Sequence, residues 1–345
     1  MRVLYLGDQD GMSGYRLAAL RRRGEEVVTI DPKVYLPTSS FVYKFHWETG
    51  YKFLQRHVET EVLRAVDKDR FDVVWVNKGV SISRRLLERL KERTGGVTVS
   101  YNNDDPYGGR DGRAWATFLE SIPAYDLMVV PRLVNFWEAK SHGANYVLRC
   151  FHEIDSEIQA EPKITEEDRQ EPEAKVLFIG TYFMGRDAQL KGLKERGIPL
   201  TLRGNSWDKA PEWAELKPIW KAAVHGEAYL KQVRMAKVSL CFLSRGNRDL
   251  HTTRSNEIPY AGGLLLAERT PEHQEMYVEN EEAMFFDSLD ECAEKCNMLL
   301  ADDALREKVR LAGQRRAIKN NHTTDALFDH VFGFLRQQGL LKHQS

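Results

Sequence analysis

Short apolar runs alternate with longer stretches of helical periodicity along most of the chain. The run MRVLYLG ends at Gly7, and a helical stretch that stops at Gly24 separates it from the apolar run VVTI. This succession predicts a β–α–β unit at the N-terminus. Strands predicted at 72–76 and 97–101 continue the alternation, and YDLMVVPRLVNFWEAKSHGANYVLRCFHEID adds a strand, a helix and another strand. The pattern predicts a parallel sheet covered by helices on both faces.

The alternation is interrupted once, by a segment that is acidic, poor in apolar residues and contains two prolines. Such a composition predicts a linker or a loosely packed crossing. A second β–α–β pattern begins directly after it, and the last stretch of the chain has apolar residues at helical spacing. The predicted organisation is a first domain, a linker, a second domain and a C-terminal helix, at 1–152, 153–174, 175–322 and 323–345.

Residues 41–53 are unusually rich in aromatic side chains for a connection between elements. Such side chains pack in a core or stack on a sugar ring, and packing is the commoner use. The residues concerned are Tyr43, His46, Trp47, Tyr51 and Phe53.

Composition narrows the class of protein without indicating an activity. The 345 residues are enough for two domains, and the formal net charge of −1 gives no global basic field for nucleic acid or a membrane. The four cysteines form no CxxC pair and are interpreted as reduced thiols. With neither a signal peptide nor an apolar stretch of membrane-spanning length, the sequence predicts a cytoplasmic protein.

The stretch RGNRDLHTTRSNEIPYAGGLLLAERT, residues 245–270, has the strongest local pattern for ligand binding. A hydroxyl-rich loop leads into a short helix at 255–261, and the N-terminus of a helix offers N–H groups and a positive dipole end to phosphate. Arg254 adds a positive charge, and Glu257 follows about one turn later. Together they suit a phosphate beside a ribose diol. The alternative is an ordinary surface ion pair.

The segments TTRSNEIPYAGGLLLAERTPEHQEMY and EEAMFFDSLDECAEKCNMLLADDALREKVRLAGQRR carry a family resemblance. They resemble the donor-binding half of GT-B glycosyltransferases, specifically the CgeB-like (spore maturation protein) branch of the glycosyl transferase group 1-like families. The resemblance covers 175–331 and is weaker over the N-terminal half. It implies two Rossmann-like domains whose parallel sheets face a central cleft, with the C-terminal helix crossing back to the first domain.

The resemblance also implies a donor site. Gly180 lets the backbone approach a ligand closely, Arg186 lies where the family has a phosphate-binding cation, and Arg203 borders the same pocket. A solvated surface position is the alternative for either arginine. The turn at His225 lies near the nucleobase. The expected donor-binding residues are Gly180, Arg186, Arg203, His225, Thr253, Arg254, Ser255, Glu257 and Glu272.

The loop after the first strand does not bind a dinucleotide, because GDQDGMSG lacks the GxGxxG spacing and its two acids would repel a pyrophosphate. Ligands of parallel α/β sheets lie beyond the carboxyl ends of the strands. Asp8, Asp10 and Lys78 are therefore candidate contacts to the acceptor, with turn formation as the alternative for the two acids.

Asp104 and Asp105 leave the sheet in NNDDPYGGRDGR and are candidates for a catalytic base or acceptor contact, or for a metal ligand. The alternative is that they cap the next helix or form a turn. The resemblance disfavours the metal, because GT-B enzymes generally need none. Many retaining GT-B enzymes carry two glutamates eight positions apart, and eight positions before Glu257 stands Asp249. Asp249 is thus a candidate for orienting the donor sugar. Alternatively, it offsets Arg245 or Arg248.

The sequence therefore predicts a metal-independent glycosyltransferase, a hexosyl- or pentosyltransferase that uses a nucleotide diphosphate sugar, most simply a UDP-sugar, and no further cofactor. The acceptor is open: a glycan precursor, a protein, a small molecule or a modified nucleic acid base. Retention of configuration is expected. The alternatives are a nucleotide-sugar epimerase of the same fold and a non-catalytic nucleotide-sugar-binding protein.

Overall fold

The computed structural model describes residues 1–170 and 174–342. They form two compact units. Unit 1 comprises Met1–Glu153, the short segment Gly246–Arg248 and the chain from Thr323 onward. Unit 2 comprises Ile154–Arg245 and Asp249–His322. Among the described residues, no helix combines the length and the apolar character needed to cross a membrane.

Each unit contains a six-stranded sheet in which all strands are parallel. The first sheet has the order β2-β1-β3-β4-β5-β6 and the second the order β12-β11-β10-β7-β8-β9. The strands of the first sheet are β1 Arg2–Leu6, β2 Glu26–Ile30, β3 Val73–Asn77, β4 Val97–Tyr101, β5 Leu127–Val130 and β6 Tyr146–Arg149. Those of the second are β7 Val176–Ile179, β8 Leu200–Arg203, β9 Trp220–Lys221, β10 Val238–Cys241, β11 Leu265–Glu268 and β12 Met284–Phe286. The predicted parallel α/β architecture is confirmed.

Helices follow most of the strands. In unit 1 they are α1 Gly11–Arg22, α2 Ser40–Glu48, α3 Gln55–Val66, α4 Arg84–Thr94, α5 Ala116–Ser121 and α6 Leu133–Ser141. In unit 2 they are α7 Arg186–Glu195, α8 Trp213–Leu216, α9 Gly226–Met235, α10 Thr253–Tyr260, α11 Pro271–Met276, α12 Leu289–Ala301 and α13 Asp303–Asn320. The last helix, α14 Thr324–Gln337, belongs to unit 1.

Apolar residues on both faces of the first sheet explain why it is covered twice. One face packs with α3 and α4. On the other face, Trp75 and its neighbours pack against α1 and the apolar stripe of α14, where Phe328 meets the Trp75 ring edge-on at 4.9 Å. Burial of this kind contributes roughly 1.5–3 kcal/mol for each large side chain. The apolar residues whose helical spacing predicts α14 are therefore also the residues that pack against the sheet.

The aromatic segment at 41–53 contains both buried and exposed side chains. Gly50 and Tyr51 have positive φ angles of 65° and 59°, which separate α2 from α3. Tyr51 and His46 are buried, whereas Phe53 is 70% exposed and Tyr43 is 38% exposed. Only part of the segment therefore packs in the core.

The acidic stretch predicted as a linker is packed within unit 2 over its first residues. Ile154 is buried, and its N–H donates to the carbonyl of His322 at 3.0 Å. The carboxylate of Asp155 accepts from the N–H groups of Glu157 and Ile158. Hydrogen bonds of polar groups hold this segment in place. Its sequence has few apolar residues for that reason, and a segment with few apolar residues is predicted as a linker. Residues 171–173 of the predicted linker lie outside the described residues.

Candidate functional site

Helix α10 begins two residues earlier than the sequence suggests, because Thr252 and Ser255 cap it reciprocally. The Thr252 hydroxyl accepts from the N–H of Arg254 at 3.1 Å, and the Ser255 hydroxyl accepts from the N–H of Thr252 at 3.0 Å. Such a capping box satisfies donors that a helix end otherwise leaves unpaired. Thr253, the first residue of α10, is half-buried.

Arg254 is the second residue of α10 and is a half-buried cation. Its Nε atom is buried and, among the described residues, has no hydrogen-bond partner. Burial acts to lower the pKa of Arg254, but Tyr229 and Glu257 outweigh it and the net pKa is raised. A buried guanidinium donor without a partner costs free energy. An incoming anion would supply the missing acceptor.

Glu257 lies beside Arg254 and is held by two side chains that sequence reasoning missed. Its Oε1 accepts from Gln159 Nε2, and its Oε2 accepts from the Tyr229 hydroxyl at 3.2 Å. Burial raises the pKa of Glu257, and the charge of Arg254 opposes that rise. Gln159 is fixed in turn by the N–H of Asp155, which donates to its Oε1 at 2.8 Å. Gln159 comes from the supposed linker, so no local signal marks it.

Arg186 opens α7 and is a second buried cation of unit 2. Its guanidinium donates to the carbonyls of Thr181 and Phe242, both at 3.0 Å, and its Nε has no partner among the described residues. Burial and, next, the positive charge of Arg254 lower its pKa to about 10. The field of Arg254 therefore reaches Arg186. The structure brings these two predicted phosphate ligands into one electrostatic environment.

Other predicted donor residues have different surroundings. Gly180 lies against the ring of Phe178. A Cβ atom at this position would be 3.1 Å from the nearest atom of that ring, so a larger residue would fit tightly. Arg203 is buried and lines a cavity of about 520 Å³ that Arg254 does not line. The contact of Arg203 to the donor stays a prediction. His225 is exposed at the N-cap of α9.

Ser255 and Glu272 belong to a buried polar network. The Ser255 hydroxyl is 2.8 Å from His273 Nε2, and its carbonyl accepts from Tyr277. Glu272 is 4% exposed and is hydrogen-bonded to His251. Burial lowers the pKa of His273 to about 4. The polar groups of Ser255 therefore fix α10, and Glu272 is engaged inside the fold. The contacts of Ser255 and Glu272 to a donor stay predictions.

In unit 1, four of the five predicted charged residues after β1, β3 and β4 form ion pairs, namely Asp8, Lys78, Asp104 and Asp105. Asp8 is 2.6 Å from Lys33 Nζ, and although burial acts to raise its pKa, Lys33 and other partners lower it. Lys78 Nζ is 3.0 Å from Asp104. Lys78 also has a left-handed φ of 65°, a conformation that costs roughly 1 kcal/mol or more for such a residue. Asp10 is exposed at the N-cap of α1 and makes no capping bond.

Asp105 has the surroundings of a structural carboxylate. It is buried and accepts from two nitrogens of Arg248, at 2.6 and 2.8 Å, from Asn135 at 2.9 Å and from the N–H groups of Tyr107 and Gly108. Burial acts to raise its pKa, but these partners lower it. A carboxylate held so firmly ionised is a poor proton acceptor. The turn-forming alternative fits Asp105, and Asp104 remains the candidate base.

Asp249 is half-buried in unit 2, and its N–H donates to the carbonyl of Ser244 at 3.2 Å. Its charge acts to raise the pKa of Arg186. Arg248 is paired with Asp105 and Glu138. Asp249 therefore shares the electrostatic environment of Arg186. Among the described residues, no group of three or more His, Cys, Asp or Glu side chains has an arrangement that could hold a metal ion.

Comparisons with known proteins bear on the fold and on the family. Residues 186–332 match the sequence model of a family described as Glycosyl transferase-like. Among solved structures, HepE of Anabaena in complex with UDP matches with a TM-score of 0.65 at 10% identity, over 98% of this chain and 100% of that one. Sucrose-phosphate synthase of Thermosynechococcus elongatus matches with a TM-score of 0.71 at 13% identity, over 98% and 99%. The chain has the GT-B fold.

A third GT-B neighbour is a trehalose-6-phosphate synthase, studied for glycosyl transfer with retention. Its TM-score is 0.67 at 12% identity, over 98% of this chain and 99% of that one. No curated protein sequence matches the chain significantly. Identities this low establish the fold alone. The predicted GT-B fold class is confirmed, whereas the CgeB-like branch stays a prediction.

Proposed function

We propose that the protein is a glycosyltransferase that binds a nucleotide diphosphate sugar in unit 2, with Arg254 and Arg186 on the diphosphate and Glu257 on the ribose. The observation that carries the proposal is the pair of arginines, Arg254 half-buried and Arg186 buried, whose buried Nε atoms have no hydrogen-bond partner among the described residues. Leaving such donors unsatisfied costs about 1–3 kcal/mol each, and an anion would recover it.

The diphosphate is the leaving group of the reaction. Negative charge grows on it as the glycosidic bond to the sugar breaks, and fixed positive charges that face it lower the barrier. Arg254 and Arg186 supply these charges from helix N-terminal turns, where the helix dipole adds to them. Glu257 is oriented by Gln159 and Tyr229, which leaves lone pairs of its carboxylate for the ribose hydroxyls.

We also propose finer assignments. HepE was solved with UDP and with UDP-glucose, which supports a UDP-sugar as the donor. Transfer would retain configuration, with Asp249 orienting the donor sugar and Asp104 acting on the acceptor side with Lys78. We assign the chain to the CgeB-like branch and expect hexosyl or pentosyl transfer without a metal, to an acceptor of unidentified class.

Isothermal titration with UDP tests the donor site. Arg254→Ala should weaken binding roughly 10- to 100-fold, the equivalent of about 1.5–3 kcal/mol for hydrogen bonds to a charged group. The matched control is Arg234→Ala, which removes a partly buried arginine of the same unit that is paired with Glu161. Its UDP affinity should equal that of the unchanged protein. The proposal would be refuted if neither UDP nor another nucleoside diphosphate binds with a Kd below about 1 mM.

Incubation of a UDP-sugar without acceptor separates the function classes. Slow release of free sugar supports a transferase, because water then replaces the acceptor. A new sugar stereoisomer identifies an epimerase. Nucleotide binding without either product identifies a binding protein.

A further inference from the structure

Three phenylalanines of unit 1 form an exposed apolar ridge. Phe41 and Phe45 lie four positions apart on α2 and so share one face of the helix. Phe53 stacks on Phe45 with ring centroids 5.7 Å apart and an angle of 19° between the planes. The three side chains are 84%, 49% and 70% exposed, respectively. We call Phe41, Phe45 and Phe53 the phenylalanine ridge.

The ridge does not serve the core of unit 1. On the same segment, His46 and Tyr51 are buried and provide the packing contacts. Further exposed apolar side chains of the same segment are Val34, Val42 and Tyr43. Scattered exposed apolar residues need no explanation, but a contiguous patch marks an interaction surface.

Basic residues accompany the ridge. Residues 32–57 contain Lys33, Lys44, Lys52 and Arg56 but one acid, Glu48, in a chain whose formal net charge is −1. Lys33 pairs with Asp8 at 2.6 Å, while Lys44 and Lys52 contact Glu48 and Glu120 at 3.8 and 3.3 Å. Exposed pairs of this kind are weak and exchange readily for other partners. The segment therefore presents aromatic rings beside lysines that are held only in exposed ion pairs.

We propose that this segment docks the protein on the surface of a bilayer that contains anionic lipids. The rings of the phenylalanine ridge would enter the boundary between headgroups and acyl chains, while Lys44 and Lys52 meet the headgroups. Charge complementarity selects this partner, because the cores of protein–protein interfaces are depleted in lysine. Here lysine immediately precedes two of the three rings, as Lys44-Phe45 and Lys52-Phe53. A helix of nine residues lies on a membrane and does not span it.

Vesicle co-sedimentation of the full chain tests the proposal. The protein should bind vesicles of phosphatidylserine mixed with phosphatidylcholine, and much less to phosphatidylcholine alone. Each of Lys44→Ala and Lys52→Ala should lower the partition coefficient roughly fivefold. Raising the salt from about 0.1 M to about 1 M should weaken binding strongly, because the Debye length falls from roughly 10 Å to roughly 3 Å.

The aromatic contribution is tested with Phe41→Ser combined with Phe53→Ser, which should reduce binding at least tenfold. The matched control is Leu311→Ser with Ile318→Ser, which removes two exposed apolar side chains from α13 of unit 2. That variant should bind vesicles like the unchanged protein. Phe53→Ser alone, checked by circular dichroism, keeps the test valid if the double variant folds poorly.

Three results would overturn the proposal. The first is absence of vesicle binding by the unchanged protein, and the second is binding that the ridge variants leave unaltered. The third is a dimer, measured by light scattering, that dissociates in the ridge variants, since the ridge would then bind a second copy of the chain. Neither readout depends on nucleotide binding, so the outcome is independent of the proposed transferase activity.

Discussion

Replacement of Gln159 by Leu tests the side chain that orients Glu257 in the candidate donor site. The two side chains have similar volume. The substitution removes the hydrogen bond to Glu257 Oε1 and the one accepted from the N–H of Asp155, and it leaves the bond from Tyr229 to Glu257. Hydrogen bonds to charged groups contribute about 1.5–3 kcal/mol, and the lower half of that range applies because Glu257 is only half-buried. We expect Gln159→Leu to reduce the free energy of unfolding by about 1.5–2 kcal/mol at pH 8.

The loss should depend on pH in a defined direction. Burial raises the pKa of Glu257 in the folded state, so its ionisation costs stability as the pH rises through that pKa. Removing Gln159 raises the folded pKa further, and the variant therefore loses most where Glu257 is ionised. The difference between variant and unchanged protein should shrink as the pH falls and Glu257 becomes protonated.

Urea unfolding at several pH values between about 5 and 8 measures both effects. The control is Gln314→Leu, since Gln314 donates to Glu161 at 2.8 Å in an exposed pair of the same unit. That variant should change stability by less than about 0.5 kcal/mol at every pH. A Gln159→Leu effect as small as the control, or one that is independent of pH, would refute the role assigned to Gln159.

Three further predictions concern single residues. Asp105→Asn should lower the free energy of unfolding in urea by at least about 2 kcal/mol, because it removes the charge that pairs with Arg248. Asp104→Asn should change that free energy by less than about 0.5 kcal/mol and yet lower kcat, and equal stability losses in the two variants would contradict the distinction. Burial lowers the pKa of His273 in the folded state to about 4, from an ordinary value near 6.5. The free energy of unfolding should therefore fall as the pH drops through that window, by about 2 kcal/mol at pH 5. His273→Gln should remove this pH dependence from urea unfolding. Asp249→Asn should lower kcat with little change in UDP affinity, and Glu257→Gln should weaken UDP binding itself in titration; inversion of the anomeric centre, read by NMR, would remove the role of Asp249.

The parallel α/β fold could be predicted because it depends on local patterns. Apolar runs of strand length and helical spacing between them are visible within a few residues, as in α14 and its apolar stripe. Arg254 and Glu257 could be found for the same reason, since both lie on one short helix. The pattern also suggested Ser255 as a ligand, but its burial against His273 is a tertiary contact that the pattern does not contain.

The partners of the site residues could not be predicted, because they are distant in sequence. Gln159 and Glu257 are 98 positions apart, and Asp105 and Arg248 are 143 positions apart. Gln159 comes from a stretch whose composition is that of a linker. Nothing in the NNDD motif indicates that one aspartate is saturated by hydrogen bonds while its neighbour keeps a single ion pair.

The position of α14 in unit 1 has a consequence for the synthesis of the chain. Unit 1 begins at Met1, yet the helix that covers Trp75 and its neighbours is translated after all of unit 2. In a nascent chain of about 320 residues, one apolar face of the first sheet is therefore incompletely covered. This differs from the general case, in which the domain made first also folds first. Until Phe328 and the rest of α14 leave the ribosome, that face is a surface for chaperones, and the N-terminal unit of the protein is the last to be completed.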